Sequence, residues 1–247
     1  MTKKELQLGV GDSKKPASWA FSEDIVENFD DHIQRSVPRY KDCHKLAVWL
    51  SDFYLTQDND VFVDLGSTTG SLVDKLASHH SGRNKLDITG IEIEPHFVDF
   101  SKKRNAKHQN QHKIEILTAD LKSYEFTPNS ANYISSLFTL QFIKPNNRAE
   151  ILKNIYDTLV WGGAFIYFEK VRGADARFQD ILNYLLNLEK SDQNFNSEEI
   201  HGKTMSLVGK MEPFSHKGNL SLLKQAGFSD IEVIFKFINF QGYLCIK

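Results

Sequence analysis

The chain has 247 residues, of which 40% are hydrophobic, so it is long enough to bury one sizeable core. Its 30 lysines and arginines nearly balance 32 aspartates and glutamates, which excludes a global field favouring nucleic acid or an anionic membrane. Two cysteines far apart and outside any C-x-x-C spacing, Cys43 and Cys245, predict neither a disulfide framework nor a zinc site. Without a targeting segment or an apolar run long enough for a bilayer, we expect a soluble cytoplasmic protein.

The N-terminal part of the sequence divides into a polar segment and two predicted helices. Residues 1–18 are rich in lysine and interrupted by glycine and proline, which predicts a flexible segment before a single domain over 19–247. From Trp19 to Tyr54, apolar residues recur at helical spacing and are interrupted at Pro38. We therefore expect two helices with a loop between them.

The hydrophobic period then changes to that of strands separated by helices. Four β-branched or aromatic runs, VFVDLG, LDITGIEIE, KIEILTADL and ANYISSLFTLQF, precede a helix over EILKNIYDTLV. WGG is expected to end that helix, and AFIYFEKV to form a fifth strand. Strands that alternate with helices pair in parallel through right-handed crossovers, so the pattern predicts a doubly wound α/β sheet.

The C-terminal part predicts a helical insertion and an antiparallel edge. Residues from about 173 to 215 are polar and helical in pattern, with a loop at SDQNFNSEE. After the helix that ends in QAGF, the runs IEVIFKFINF and GYLCIK leave no room for another helix, so they must form a hairpin. The predicted fold is a seven-stranded, mostly parallel sheet with an antiparallel terminal hairpin.

Polar residues and glycines follow the first three strands, where ligands of open parallel sheets bind. The turn over residues 64–70, DLGSTTG, follows the first strand, Glu92 ends the second, and Asp120 follows the third. Glu92 suits the two hydroxyls of a ribose, and Asp120 suits an adenine amine. The turn lacks the middle glycine that a pyrophosphate needs for close approach to the backbone, whereas a nucleoside needs only Gly66 and Gly70.

These features favour S-adenosylmethionine (SAM) as the cofactor and the class I methyltransferase fold. The helix after Gly70 can direct its positive N-terminal end toward the cofactor carboxylate. Taken singly, Gly66 and Gly70 could be packing glycines, and Glu92 and Asp120 could be solvated caps. That interpretation explains poorly why all four occur together at the strand ends. The predicted cofactor contacts from this pattern are Asp64, Gly66, Ser67, Thr68, Gly70, Glu92, Ile93, Asp120 and Leu121.

Two further segments carry a more specific signal. Residues 19–40 contain IQRSVP followed one residue later by tyrosine, and residues 136–170 contain FTLQF at a strand end. From Trp19 to the C-terminus the chain resembles the carboxy-S-adenosylmethionine synthase family of the tRNA wobble-uridine pathway, whose turn also lacks the middle glycine. The resemblance implies a homodimer that converts SAM and prephenate to carboxy-SAM and phenylpyruvate.

The resemblance also implies roles for individual residues. Tyr40 matches a ligand contact of the family, and Ser136 or Leu137 stands where the family has a ligand-contacting asparagine. The family clamps the carboxylate with an arginine from the neighbouring subunit, which aligns with Thr204 here. Threonine cannot supply a bidentate cationic fork, so either Lys203 takes over the carboxylate or the protein does not use the carboxylated cofactor.

Several residues keep two interpretations. Arg35 either orients an anionic substrate near Tyr40 or pairs with a carboxylate at helical spacing. Glu169 and Lys170 either face the pocket or pair with each other. The expected site liners beyond the strand tips are Thr139 and Gln141, with Phe138, Leu140 and Phe142 facing the core, while His44 and His96 are candidate bases that are more often structural.

Function also keeps alternatives. On this scaffold the chain could be a conventional methyltransferase acting on a small molecule or a nucleic acid, or a SAM-binding scaffold without catalysis. The basic segment over residues 102–113, KKRNAKHQNQHK, leaves contact with nucleic acid open, although such faces are usually only solvated. The leading prediction is a SAM-dependent transferase of the carboxy-SAM synthase type.

Overall fold

The structure, a computed structural model, describes residues 16–247, so most of the predicted flexible segment lies outside the described residues. The N-terminal region forms a short 3-10 helix over Glu23–Asn28, then α1 over Phe29–Ser36 and α2 over Tyr40–Ser51. Pro38 separates α1 from α2, because a proline holds the residue before it in an extended conformation. No helix in residues 16–247 is both long and apolar enough to cross a bilayer.

Seven strands form one sheet in the order β3-β2-β1-β4-β5-β7-β6. Neighbours from β3 to β5 pair in parallel, whereas β7 pairs antiparallel with both β5 and β6, which confirms the predicted sheet and terminal hairpin. The strands are β1 Val61–Leu65, β2 Asp87–Glu92, β3 Lys113–Thr118, β4 Ala131–Leu137, β5 Leu159–Lys170, β6 Asp230–Phe237 and β7 Phe240–Ile246. The remaining helices are α3 Ser71–His79, α4 Pro95–Asn105, α5 Pro145–Thr158, α6 Ala176–Asp192, α7 Ser197–Leu207 and α8 His216–Ala226.

Helices cover both faces of the sheet and create two apolar cores. Phe62 of β1 belongs to the core that contains Leu76 of α3. Its neighbours Val63 and Leu65 belong to the opposite core, with Ile155 of α5. Burial on both faces explains why the parallel strands appear in the sequence as nearly continuous hydrophobic runs.

Two predicted boundaries were wrong. The run ANYISSLFTLQF does not stay a strand, because Phe138 adopts a left-handed φ of 62° and a 3-10 helix follows over Leu140–Phe142. The tripeptide WGG does not end α5, which stops at Thr158; Leu159 already pairs with Ala131 of β4. Strand pairing, which depends on distant residues, decides both boundaries.

Gly70 joins the turn after β1 to α3 and packs against α4. It adopts a φ of 70°, and a Cβ at this position would collide with the Ser101 hydroxyl and lie 2.5 Å from the Asn105 amide nitrogen. Gly82 has a similar φ of 75°, but a Cβ there would meet nothing within 4 Å. A comparison of substitutions at the two glycines therefore distinguishes the cost of backbone strain from the cost of a steric collision.

We expect Gly70→Ala to destabilise the protein more than Gly82→Ala. Both changes place a Cβ in the left-handed region, which costs about 1–2 kcal/mol, but only Gly70→Ala adds a collision with α4. Thermal unfolding measures the difference, at about 2–4 °C per kcal/mol for a chain of this size. Equal losses of stability in the two variants would contradict the packing assigned to Gly70.

Candidate active site at the strand tips

A cavity of about 480 Å³ lies at the carboxyl ends of the parallel strands, covered by residues of α1, α6 and α7. It brings together nearly all of the side chains and turn residues predicted from the strand ends and from the family resemblance. The predicted residues that line it are Tyr40, Asp64, Gly66, Ser67, Thr68, Glu92, Ile93, Asp120, Leu121, Leu137 and Lys203. Their individual roles in binding and catalysis stay predictions.

The turn after β1 is held against the end of β2 by backbone hydrogen bonds. The amides of Gly66 and Ser67 both donate to the carbonyl of Ile91, at 2.8 and 3.0 Å. Gly66 has a φ of 74°, and a Cβ on it would lie 2.5 Å from the Thr139 methyl carbon. A glycine is therefore required at position 66 for two reasons: the backbone has a positive φ, and the chain after β4 leaves no room for a side chain.

Glu92 is buried at the end of β2, and its carboxylate joins two loops. One oxygen accepts from the amides of Ile93 and Glu94 at 2.8 and 3.0 Å, and the other accepts from the amide of Thr68 at 2.9 Å. Burial raises the pKa of Glu92, while these three amides act in the opposite direction. Because each carboxylate oxygen can accept more than one hydrogen bond, Glu92 can also receive the hydroxyls of a ribose.

Asp64 lies deeper in the same end of the cavity. Its Oδ1 accepts a 2.6 Å hydrogen bond from the Ser135 hydroxyl. Burial, together with the nearby charge of Glu92 and against the effect of the Ser135 hydrogen bond, raises the pKa of Asp64 to about 7. A cationic group bound beside Asp64 would favour the ionised carboxylate and expel its proton.

Asp120 stands at the third strand tip, partly exposed and already engaged. Its Oδ1 accepts from the Lys122 amide at 3.0 Å, and its Oδ2 lies 2.9 Å from the Lys122 ammonium. Partial burial raises the pKa of Asp120, but the hydrogen bonds and charge of Lys122 outweigh it, so the pKa of Asp120 is lowered. An adenine amine would therefore share an ionised carboxylate with Lys122.

Tyr40 begins α2 and forms part of the buried cavity wall. Its ring centre lies 4.4 Å from that of His44 and 6.0 Å from that of Phe138. Burial raises the pKa of Tyr40 above its usual range, so the phenol stays neutral. His44 also lines the cavity, and its Nδ1 lies 3.0 Å from the Lys75 ammonium. Burial and the charge of Lys75 lower the pKa of His44, so its imidazole is neutral.

Three lysines line another part of the cavity, Lys170 from β5, Lys190 from α6 and Lys203 from α7. No carboxylate of the described residues lies within ion-pair distance of their ammonium groups. Burial and the neighbouring positive charges lower the pKa of Lys170 to about 8 and that of Lys203 well below its usual value. Such a cluster favours an anion, whose charge would offset both the repulsion among the lysines and the cost of burying their charges.

Lys203 is fixed by uncharged partners. Its ammonium lies 2.8 Å from the His32 Nε2, donates to the Ser36 hydroxyl at 2.5 Å, and stands 5.1 Å from the centre of the Trp19 ring. Burial and the charge of Lys203 lower the pKa of His32 to about 2, so this imidazole is neutral and accepts from the ammonium. Thr204 instead donates its hydroxyl hydrogen to the Ile200 carbonyl within α7.

The structure does not bring two predicted residues into the cavity. Arg35 lies with its guanidinium 5.2 Å from the ring centre of Phe195 and lines a neighbouring pocket together with Tyr40, so its contact with an anionic substrate stays a prediction. Gly70 acts through its packing on α4 rather than as part of the cavity wall. Tertiary packing sets which side of a helix or turn faces the cavity, so the sequence could not place these two residues relative to it.

The cavity wall also contains residues that strand periodicity had assigned to the core or had not assigned at all. Thr139 and Gln141 line the cavity as predicted, but so do Phe138 and Phe142, because the chain leaves the strand after Leu137. Lys170 lines the cavity and His96 does not. Trp19, His32 and Lys190 were missed, because a polar helix and an isolated aromatic residue give no local signal of a shared cavity.

The basic segment over residues 102–113, which begins in the last turn of α4, has most of its lysine and arginine charges paired with acidic residues of the same chain. Arg104 lies 2.7 Å from Asp30 and also donates to the Thr69 hydroxyl at 2.9 Å. Lys107 and Lys113 each lie within 2.9 Å of a carboxylate. These pairs favour a structural role for the segment over a surface for nucleic acid.

The fold and this site define the class of protein. The family described as "Methyltransferase domain" matches residues 62–163. A SAM-dependent methyltransferase from Aquifex aeolicus is similar with a TM-score of 0.57 and 12% identity, covering 92% of this chain and 99% of that chain. Human N-acetylserotonin methyltransferase, solved in complex with SAM, is similar with a TM-score of 0.60 and 20% identity, covering 92% and 56%. The chain has the class I SAM-dependent methyltransferase fold.

Sequence relatives define the family within that class. The carboxy-S-adenosyl-L-methionine synthase of Staphylococcus epidermidis is 35% identical over 94% of this chain and 98% of its own length. That of Nautilia profundicola is 31% identical over 92% and 94%. The chain belongs to the carboxy-S-adenosyl-L-methionine synthase family, a family of SAM-dependent transferases, which confirms the resemblance and the SAM cofactor inferred from the sequence.

We expect the affinity for SAM to rise about tenfold between pH 6 and pH 8, because the Asp64 proton must leave when a cationic ligand binds beside it. Below a pKa of about 7 this proton opposes binding; above it the carboxylate is already ionised. Calorimetric titrations across this range measure the affinity, and buffers of different ionisation enthalpy measure the released proton. Asp64→Asn should remove the dependence, and an unchanged wild-type affinity between these pH values would contradict it.

Proposed function

We propose that this protein converts SAM and prephenate to carboxy-SAM and phenylpyruvate. The observation that carries the proposal is the cluster of Lys170, Lys190 and Lys203 in the wall of the cavity whose strand-tip end suits an adenosine. Methyl transfer requires no anion site beyond that for the carboxylate of SAM itself, whereas a dicarboxylate donor and a carboxylated product require a further one. The names of the family relatives support the same reaction.

The chemistry asks the protein to position and shield reactive groups rather than to supply a redox partner. Prephenate loses its ring carboxylate as carbon dioxide and its hydroxyl as hydroxide, which leaves phenylpyruvate. The hydroxide takes a proton from the sulfonium methyl group, and the new carbon–carbon bond forms between that methyl carbon and carbon dioxide. The products are carboxy-SAM, phenylpyruvate and water, so atoms and electrons balance. Exclusion of bulk water from the cavity on substrate binding would protect both short-lived species.

Lys203 is the proposed partner of the anionic groups in place of the family arginine. Its ammonium is held by His32 and Ser36, which leaves its charge without a carboxylate partner among the described residues. Burial and neighbouring positive charges lower the pKa of Lys203, so a bound carboxylate would favour its protonated form. The clamp would then come from the same subunit as the strand tips that hold SAM.

We expect the wild-type protein, incubated with SAM and prephenate, to produce a cofactor heavier by one carboxylate group in mass spectrometry. Lys203→Met should remove most of this product, because a buried anion would lose its paired cation, while SAM binding measured by calorimetry should stay within about threefold of wild type. Lys203→Arg should retain more product than Lys203→Met. The exposed Lys224→Met on α8 serves as the matched control.

Three results would contradict the proposal in different ways. No carboxylated cofactor in the wild-type protein would remove the reaction. Formation of S-adenosylhomocysteine with a methyl acceptor would instead support a conventional methyltransferase, and tight SAM binding without turnover would support a scaffold. Full carboxylation by Lys203→Met would keep the reaction but remove the role assigned to Lys203.

A homodimer is proposed from an exposed apolar face on α6, with the family resemblance as further support. Five apolar side chains recur at helical spacing, and each is between 41% and 64% exposed. They are Phe178, Ile181, Tyr184, Leu185 and Leu188. Such a continuous apolar stripe is unusual on the surface of a monomer, and a second copy of the chain would cover it.

We expect the wild-type protein to sediment as a dimer and the double variant Ile181→Asp with Leu185→Asp to sediment as a monomer. Charges placed on both partners of a symmetric apolar interface repel each other and resist desolvation. Val208→Asp, at another exposed apolar position, should leave the dimer intact. A dimeric double variant with a wild-type circular dichroism spectrum would place the interface elsewhere.

The cellular setting belongs to the same proposal. We infer a reducing cytoplasm, which is supported by two cysteines that are both buried free thiols. The product would supply the modification of wobble uridine in tRNA, as the family resemblance implies. That residues 19–247 act as a single domain, with α6 and α7 as its helical insertion, is likewise a proposal, supported by the one continuous sheet.

A further inference from the structure

A group of potential metal ligands lies outside the cavity, where α2 and α3 end beside each other. Asp52 follows the last residue of α2, His79 is the last residue of α3, and His80 follows it. One ligand atom from each of these three side chains lies within 4.8 Å of the other two. The three residues therefore lie close enough for one ion to reach all of them after small side-chain adjustments.

The hydrogen bonds of His80 define which of its nitrogens is free. The Ser51 hydroxyl donates to the Val48 carbonyl at 2.6 Å, so its oxygen can only accept from the His80 Nε2, which lies 2.8 Å away. The imidazole proton is then on Nε2, and Nδ1 has a lone pair. This Nδ1 is buried and has no hydrogen-bond partner among residues 16–247. Metal-binding histidines show the same pattern, with one nitrogen fixed by a neighbour and the other free.

The local electrostatics favour a cation at this position. The C-terminal ends of α2 and α3 both present negative partial charge there. The Arg83 guanidinium already exploits this field, at 2.8 Å from the Asp52 Oδ1 and 3.5 Å from the His79 Nε2. The Arg83 side chain is 54% exposed, so it can move away when a stronger cation binds.

We propose that Asp52, His79 and His80 form a zinc-binding site. Two imidazoles and one carboxylate suit Zn²⁺ better than Mg²⁺ or Ca²⁺, which prefer sites made of oxygen ligands. Water would fill the fourth position. The ion would join the ends of two helices that lead back to the cavity, since α2 begins at Tyr40 and α3 follows Gly70. The proposal does not depend on the reaction proposed above.

The test is calorimetric titration of the metal-stripped, untagged full chain with Zn²⁺. We expect one equivalent to bind to the wild-type protein, and Asp52→Asn and His79→Gln each to weaken the affinity by more than about tenfold. Arg83→Gln should bind several-fold more tightly, because the competing guanidinium is gone. His201→Gln, at an exposed histidine on α7, is the matched control and should bind like wild type.

The outcomes separate clearly. The side chains of Asp52 and His79 both reach the surface, so we expect both variants to fold. Circular dichroism checks that they do. No saturable binding to the wild-type chain in excess Zn²⁺ would overturn the proposal. Equal affinity in wild type, Asp52→Asn and His79→Gln would also overturn it, because Zn²⁺ would then bind at other residues.

Discussion

The carboxylate of Glu92 is the interaction on which the site depends. It accepts hydrogen bonds from the backbone amides of Thr68, Ile93 and Glu94, and so ties the turn after β1 to the end of β2. A buried carboxylate without such partners would be strongly unfavourable, so the two loops are held together even before a ligand binds. The strand tips are thereby preorganised, and cofactor binding needs little further ordering.

The helix α1 connects this preorganised end of the cavity to its cationic wall. Asp30 accepts from the Thr69 hydroxyl at 2.6 Å and pairs with Arg104, which fixes α1 against the turn after β1. Further along α1, His32 and Ser36 hold the ammonium of Lys203. Acidic groups and a lysine cluster therefore line the same cavity. This charge separation suits a reaction between a sulfonium and a carboxylate donor.

The accuracy of the sequence predictions follows the range of the interactions involved. Gly66, Glu92 and Asp120 were correctly placed on the cavity wall because each stands at or just after the end of a strand, and parallel strands bring their carboxyl ends to one edge of the sheet. Lys190 and His32 were not found, because their meeting depends on how α6 and α1 pack over the sheet. The family resemblance directed attention to Lys203, but only the fold distinguishes it from Thr204, whose hydroxyl is used within its own helix.

The sequence by itself determined the order of strands and helices, the terminal hairpin, the glycine turn and the family, since periodicity and short motifs depend on neighbouring residues. Tertiary structure alone decided that β4 ends at Leu137, that Arg35 lies against Phe195 outside the cavity, and that three lysines share one wall. Those outcomes depend on packing between segments far apart in the chain. A local pattern shows which residues can form a surface, but not which surface they face.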